Sequence, residues 1–290
     1  MEKPKNINKI IIRSPNWVGH VVMATPAFRC IRENFPDAII TLALKSYIQK
    51  LIEGAPWFDK LFLLDSKDRL PGGAQYFPVV KHIRAQKYDL GFLFPNSFSS
   101  AFMFWLGGVK RRVGYKRDAR AWFLTDGINR LYENGHFFPT YMGDYYLRLC
   151  TAVGCEVQSK NLALFITENG RRRVDEIFGK YHLDGCRPLI LLNPGAAYGS
   201  SKCWTAEGFA RTADIISDQL DCTIAIVCAP HETKLAMDIE QAAKSKLINL
   251  ANQIISLDVL NALIQRCALL ITVDSGPRHI AVAFKKPVVT

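Results

Sequence analysis

Several familiar sequence features are missing from this chain, and each absence removes a class of function. There is no G-x-G-x-x-G dinucleotide fingerprint, because the loop after the first strand-like run, Ser14-Pro15-Asn16-Trp17-Val18-Gly19-His20, holds a single glycine; this weighs against a nicotinamide enzyme. There is no Walker A loop either, since Lys202 lacks the preceding glycine spacing. The eight cysteines, at 30, 150, 155, 186, 203, 222, 228 and 267, contain no C-x-x-C pair and have no histidine at zinc-ligand spacing, so they read as reduced thiols with no metal site. No apolar run approaches the length of about 20 residues that spans a bilayer. The start MEKPKNINK passes straight into IIIRS without a signal-like apolar region, so a cytoplasmic chain is expected.

What is present describes an ordinary folded protein. The 290 residues are 49% hydrophobic and 22% charged, with no low-complexity tract. That length exceeds what one core usually organises, so two domains are expected. The net charge of +11 implies an anionic partner, with nucleic acid, a phospholipid surface and a phosphorylated substrate all matching its sign.

Strand-like runs alternate with helix-length amphipathic segments, which predicts βαβ units around a parallel sheet. The first series is Lys9 to Ser14, Ala38 to Leu44, Lys60 to Leu64 and Tyr88 to Phe94. The second is Pro188 to Leu192, Thr223 to Cys228, Leu247 to Leu250, Ala268 to Val273 and Pro287 to Thr290, with helices near 205–219, 231–244, 256–266 and 277–284. A helix near Thr140 to Val153 and a short strand at Leu162 to Ile166 lie between them. The boundary is placed near residue 160, giving an N-terminal domain 1–160 and a C-terminal domain 161–290. In doubly wound sheets ligands bind beyond the carboxyl ends of the strands, so the loops after Ser14, Leu192, Cys228 and Val273 are where chemistry is sought.

Four of these stretches can carry a site. In the first loop, Trp17 is either a ligand contact or core, and Thr25-Pro26 either starts a helix or kinks one begun near His20. In Asn193-Pro194-Gly195-Ala196-Ala197-Tyr198-Gly199-Ser200-Ser201-Lys202-Cys203-Trp204, small residues let the backbone approach a phosphate, and Lys202 places a charge beside it. Thr205 caps the helix that follows. In Val273-Asp274-Ser275-Gly276-Pro277-Arg278-His279, a helix start with proline in its first turn offers free N–H groups to an anion, with Ser275 adding a hydroxyl and Asp274 available to sugar hydroxyls. Glu232, after Ala229-Pro230-His231, can bind the two hydroxyls of a ribose or serve only as a dipole partner. A basic run, Lys110, Arg111, Arg112, Lys116, Arg117 and Arg120, follows the aromatic stretch Phe92 to Trp105. Such runs are usually solvated faces, yet clustered arginines also suit an anionic substrate.

The segments RSPNWVGHVVMATPAFRCIR, NPGAAYGSSKCWTAEGFARTAD and DSGPRHIAVAFKKPVV, in that order and spacing, resemble the ADP-heptose:lipopolysaccharide heptosyltransferases of glycosyltransferase family 9, and are most similar to the heptosyltransferase II branch. The resemblance implies a GT-B fold: two Rossmann-like domains facing a cleft, with the acceptor on the N-terminal side and the nucleotide sugar on the C-terminal side. It implies an inverting, metal-independent transfer of heptose from ADP-heptose to the phosphorylated lipopolysaccharide inner core, with no cofactor. Family members usually continue beyond the strand matched by Pro287 to Thr290, so the resemblance implies a C-terminal domain that is incomplete here.

The family's diphosphate contact falls on Lys202. Donor binding carries over to Gly195, Ser201, Asp274, Ser275, Gly276 and His279, with Glu232 as a ribose contact. Asn16, Trp17, Arg111, Arg112, Arg117 and Arg120 are the implied acceptor contacts. The family's W-x-G-D aspartate is replaced by His20, a neutral imidazole that can take a proton near its reference pKa of about 6.5 but supplies no negative charge. A weakened transferase that loses activity below about pH 6.5 is expected. The alternatives are a non-catalytic nucleotide-sugar binder and a family member using another nucleotide sugar; a nucleic-acid binder rests on charge alone and lacks any binding motif. Peripheral contact of the basic run with the inner face of the inner membrane is a further expectation.

Overall fold

The computed structural model describes residues 4, 6–64, 76–133, 136–183, 187–196, 202 and 204–290, with only the backbone described at 132, 133, 136 and 137. The chain divides into two compact units, one of Met1–Gln49 and Ala55–Leu162, the other of Lys50–Gly54 and Ala163–Thr290.

The first unit is built on β1 (Lys9–Arg13), β2 (Ile39–Leu44), β3 (Lys60–Leu63), β4 (Leu90–Leu93), β5 (Arg111–Tyr115) and β6 (Asp126–Ile128). They form one parallel sheet in the order β3-β2-β1-β4-β5-β6, the doubly wound order of a Rossmann fold. A parallel sheet is covered on both faces, so its central strands are apolar throughout rather than alternating. Ile10, Ile11 and Ile12 of β1 are accordingly all 0% exposed. A short antiparallel pair, β7 (Tyr132–Glu133) and β8 (His136–Phe137), follows the sheet.

Thr25 is not the N-cap expected of it: Ala24 takes that position without a side-chain cap bond, and the chain breaks between two helices at Thr25-Pro26. Helix α1 (Val18–Met23) begins before His20, and α2 (Thr25–Asn34) starts anew with Pro26 in its first turn. Proline cannot donate to the preceding turn, and the Thr25 hydroxyl donates instead to the Val22 carbonyl at 2.7 Å. Further along lie α3 (Gln49–Ile52), α4 (Tyr76–Gln86), α5 (Phe98–Leu106) and α6 (Met142–Thr151).

The second unit repeats the plan with β9 (Leu189–Asn193), β10 (Thr223–Ile226), β11 (Ile248–Asn249), β12 (Leu269–Thr272) and β13 (Val288–Val289). The order is β11-β10-β9-β12-β13, parallel throughout. Its helices are α7 (Glu168–Lys180), α8 (Ala206–Gln219), α9 (Thr233–Ala242), α10 (Leu257–Arg266) and α11 (Gly276–Ala283). Thr205 caps α8 by accepting from the Gly208 amide at 3.1 Å.

Two expectations are corrected. Leu162 to Ile166 forms no strand: it runs as irregular chain with no ladder partner in either sheet, and Phe165 lies against Gly54, where an added Cβ would fall 3.3 Å from that of Phe165. The basic run is not a uniformly solvated face, since Arg111–Tyr115 is an interior strand of the first sheet. Among the described residues no helix is long and apolar enough to cross a membrane.

Candidate functional site

In each sheet the chain winds outward from its central pair, β1 with β4 and β9 with β12. That reversal leaves a crevice beyond the carboxyl ends of the two strands, where ligands of doubly wound folds bind.

In the second unit that end is built by Asn193, the last residue of β9. Its side chain is 6% exposed; the amide donates to the Val227 carbonyl at 2.9 Å and the oxygen accepts from the Thr272 hydroxyl at 3.2 Å. One buried amide thus ties β9 to the ends of both neighbours. The Thr272 hydroxyl also lies 3.3 Å from that of Ser275, which holds Ser275 at the start of α11. Ser275 occupies the N-cap position with extended backbone and makes no side-chain cap bond, and Pro277 stands in the first turn. The positive end of the helix dipole therefore opens at the carboxyl edge of the sheet.

The loop after β9 reaches the same place. The Lys202 ammonium lies 2.8 Å from Asp274 Oδ2, and Arg278 Nη2 lies 2.9 Å from Asp274 Oδ1. Asp274 sits between two cations, and its pKa is lowered, first by the Lys202 hydrogen bond. Glu232 approaches from the loop after β10. Its Oε2 accepts from the Ala229 amide at 2.9 Å, and a Cβ built on Gly195 would fall 2.0 Å from its carboxyl carbon. A side chain at 195 would require the Glu232 carboxylate to swing away. Gly195, Lys202, Glu232, Asp274, Ser275, Gly276 and His279 therefore share one edge of one sheet; Ser201 lies outside the described residues.

In the first unit the corresponding end begins with Arg13, a residue the sequence reading passed over. Its guanidinium donates to the Ser14 carbonyl at 2.6 Å and to Asn16 Oδ1 at 2.7 Å, and so clamps the loop that follows. Burial pushes its pKa down to about 10. Trp17 is 47% exposed, which rules out the core alternative for it. His20, half-buried on α1, has Nδ1 2.9 Å from the Tyr146 hydroxyl of α6. Burial lowers the His20 pKa and holds the Tyr146 phenol protonated well above its ordinary range.

The arginines are not brought together as one open cluster. Arg111 grips Asp126 through Nε at 3.2 Å and through Nη2, and Arg112 donates to the Phe123, Val109 and Lys110 carbonyls. Arg117 remains exposed beside Asp118 at 3.0 Å. Arg120 is corrected outright as an acceptor contact: it is 0% exposed, and its guanidinium is spent on the Tyr115 carbonyl at 2.9 Å, Asn96 Oδ1 at 3.1 Å and the Pro95 carbonyl. Among the described residues no cluster of three or more His, Cys, Asp or Glu could hold a metal ion.

Comparison with known proteins bears on the fold and the family. The chain is 25% identical over 293 residues to lipopolysaccharide heptosyltransferase 2 of Escherichia coli K12, covering 97% of this chain and 81% of that protein. By fold it is similar to a glycosyl transferase family 9 structure from Veillonella parvula, with a TM-score of 0.86, 22% identity and coverage of 99% of this chain and 80% of that one. It is similar also to E. coli ADP-heptose lps heptosyltransferase II, with a TM-score of 0.78, 23% identity and coverage of 97% and 83%. Residues 77–290 match Glycosyltransferase family 9 (heptosyltransferase), and on that match the chain belongs to this family and is a glycosyltransferase.

Proposed function

We propose that the chain moves heptose from ADP-heptose to the phosphorylated inner core of lipopolysaccharide, with inversion at the anomeric carbon and without a metal ion. The observation that carries the reading is the meeting of Lys202 with Asp274 at the start of α11, which gathers cationic side chains and a helix N-terminus at one edge of the second sheet.

As the glycosidic bond breaks, negative charge grows on the departing diphosphate. Lys202 and the amides near Gly276 are suited to stabilise it, because fixed donors aimed at developing charge need no reorganisation during the reaction. Lys202 exchanges Asp274 for the diphosphate, which frees the Asp274 carboxylate for sugar hydroxyls. Gly195 lets the chain pass close to the nucleotide, Glu232 takes the ribose hydroxyls, and Ser275 and His279 complete the donor side. In the first unit His20 takes the acceptor's proton as its oxygen attacks. Asn16, Trp17 and Arg117 contact the acceptor, with Arg111 and Arg112 contributing positive field. The reading is supported by the names of similar proteins, one a lipopolysaccharide heptosyltransferase and one an ADP-heptose lps heptosyltransferase.

A transfer assay with ADP-heptose and core-truncated lipopolysaccharide, run with a chelator, tests this. Turnover with an inverted product linkage is expected. Dependence on added metal, or turnover only with a different nucleotide sugar, overturns the corresponding part. ADP binding with no turnover favours a nucleotide-sugar binder, a reading that His20 in place of the family's aspartate supports.

A further inference from the structure

Each oxygen of the Asp274 carboxylate has a cation of its own. Lys202 Nζ lies 2.8 Å from Oδ2 and Arg278 Nη2 lies 2.9 Å from Oδ1. The side chains of Lys202, Asp274 and Arg278 are 46%, 51% and 34% exposed, so all three are open to a ligand. The two cations are held differently. Lys202 reaches Asp274 from a loop 72 positions away in sequence. Arg278 stands four residues beyond Asp274 in the first turn of α11, directly behind Pro277, and its Nη2 lies also 3.4 Å from His279 Nε2. An ammonium on a flexible stem is a mobile point charge, whereas a planar guanidinium is directional and gives up its geometry when it moves.

The two oxygens therefore have different fates in the donor reading given above, on which this inference rests. When Lys202 turns to the diphosphate, Oδ2 is released while Oδ1 is still gripped.

We propose that Arg278 is a positioning residue for the donor sugar: it keeps Asp274 Oδ1 as Lys202 leaves, so the carboxylate holds one orientation and presents Oδ2 to the sugar hydroxyls. A carboxylate freed of both cations would turn about its two side-chain bonds, and ordering it on binding would cost affinity. Charge acts in the same direction. The charged and titratable groups facing Asp274 among the described residues are Lys202, from the loop after β9, and Arg278 and His279 of α11. They lower its pKa, first through the Lys202 hydrogen bond and then through the Arg278 charge. With Lys202 on the diphosphate, Arg278 is the permanent cation that remains to keep the carboxylate ionised.

Calorimetric titration of the full chain with ADP and with ADP-heptose tests this, because the ratio of the two affinities isolates what the sugar contributes. Arg278→Met should lower the preference for ADP-heptose over ADP about tenfold, as loss of one oriented, charge-assisted contact does. The thermal midpoint should stay put, since an exposed ion pair four residues apart on a helix adds little to stability. Arg278→Lys, which keeps a cation without the fork, should recover part of the preference. As the solution is acidified from about pH 7.5, Arg278→Met should lose the preference at a higher pH than the unaltered chain, because its Asp274 protonates earlier. In an Asp274→Asn background the change at 278 should have no further effect on the ratio, there being no carboxylate left to hold. A ratio that Arg278→Met leaves unchanged overturns the proposal; if both ligands weaken together, Arg278 acts on the diphosphate instead. A ratio that falls as far again in the Asp274→Asn background overturns it too. Failure of the unaltered chain to bind either ligand would strike the donor reading itself, and the proposal with it.

Discussion

His20 Nδ1 and the Tyr146 hydroxyl lie 2.9 Å apart, joining α1 to α6 across 126 positions of sequence. The contact decides which ring nitrogen remains for chemistry. For Nε2 to take a proton, Nδ1 must carry the ring hydrogen and donate it to the Tyr146 oxygen. Tyr146→Phe removes that acceptor, so kcat should fall roughly five- to tenfold, the worth of one neutral hydrogen bond of about 1 kcal/mol, with little change in KM. An unchanged kcat would show that Tyr146 does not orient the base.

The same environment sets a pH dependence. Burial lowers the His20 pKa by disfavouring the charged ring, so the neutral form persists to a pH below the reference of about 6.5. The acid limb of kcat/KM should therefore lie below about pH 6.5, and His20→Asp should move it further down, into the carboxylate range. The stability linkage has matching sign: the unfolded ring binds its proton first as pH falls, so the contribution of neutral His20 is present above about 6.5 and lost below it. An acid limb that His20→Asp leaves in place would remove His20 from the proton-transfer step.

At the second sheet's edge, Asp274 lies between Lys202 and Arg278. Lys202→Met should lower kcat/KM by about a hundredfold or more, as loss of a donor aimed at developing charge does. Asp274→Asn separates two roles. If the carboxylate meets sugar hydroxyls, ADP-heptose binding weakens while binding of ADP, which lacks the sugar, does not. Calorimetry with both ligands checks this, and equal weakening of the two would make Asp274 only an organiser of Lys202.

These relationships show what the sequence could and could not express. The two parallel sheets are legible because strands covered on both faces read as unbroken apolar runs, such as Ile10 to Ile12 and Leu189 to Leu192. The loops after β9 and β12 are legible because close backbone approach and helix starts demand small residues and proline. Strand β5 was hidden: its arginines look solvated, and only the fold supplies Asp126 and the carbonyls that let Arg111 and Arg112 lie in a sheet. Arg13, Tyr146 and Thr272 carry no local signal, since each acts through a partner in another segment or across a neighbouring strand.

Gly195 and Glu232 form a steric pair that can be tested by a double-mutant cycle. Gly195→Ala places a methyl group 2.0 Å from the Glu232 carboxyl carbon, so the carboxylate must leave and surrender the Ala229 amide. A loss of about 1–3 kcal/mol in stability is expected, together with weaker donor binding. Glu232→Ala alone should cost less than Gly195→Ala, and in the double variant the clash is gone, so the two costs should not add. Additive costs would mean the residues do not meet.

Arg120 closes the argument about the basic run, because its burial and its charge act in opposite directions. Removal from water lowers its pKa to about 10, and it is held by two backbone carbonyls and Asn96 rather than by a carboxylate. A cation in that position is costly, and the fold tolerates it because the guanidinium's rigid fork satisfies three oxygens at once. Arg120→Met leaves those oxygens without their donor, and should destabilise the protein by about 2–4 kcal/mol while the acceptor KM of the folded fraction stays the same. Arg120→Lys keeps the charge but cannot span the three acceptors, so it should recover only part of the loss. Thermal melts beside acceptor titrations decide the matter: a raised acceptor KM at an unchanged melting midpoint would return Arg120 to the substrate.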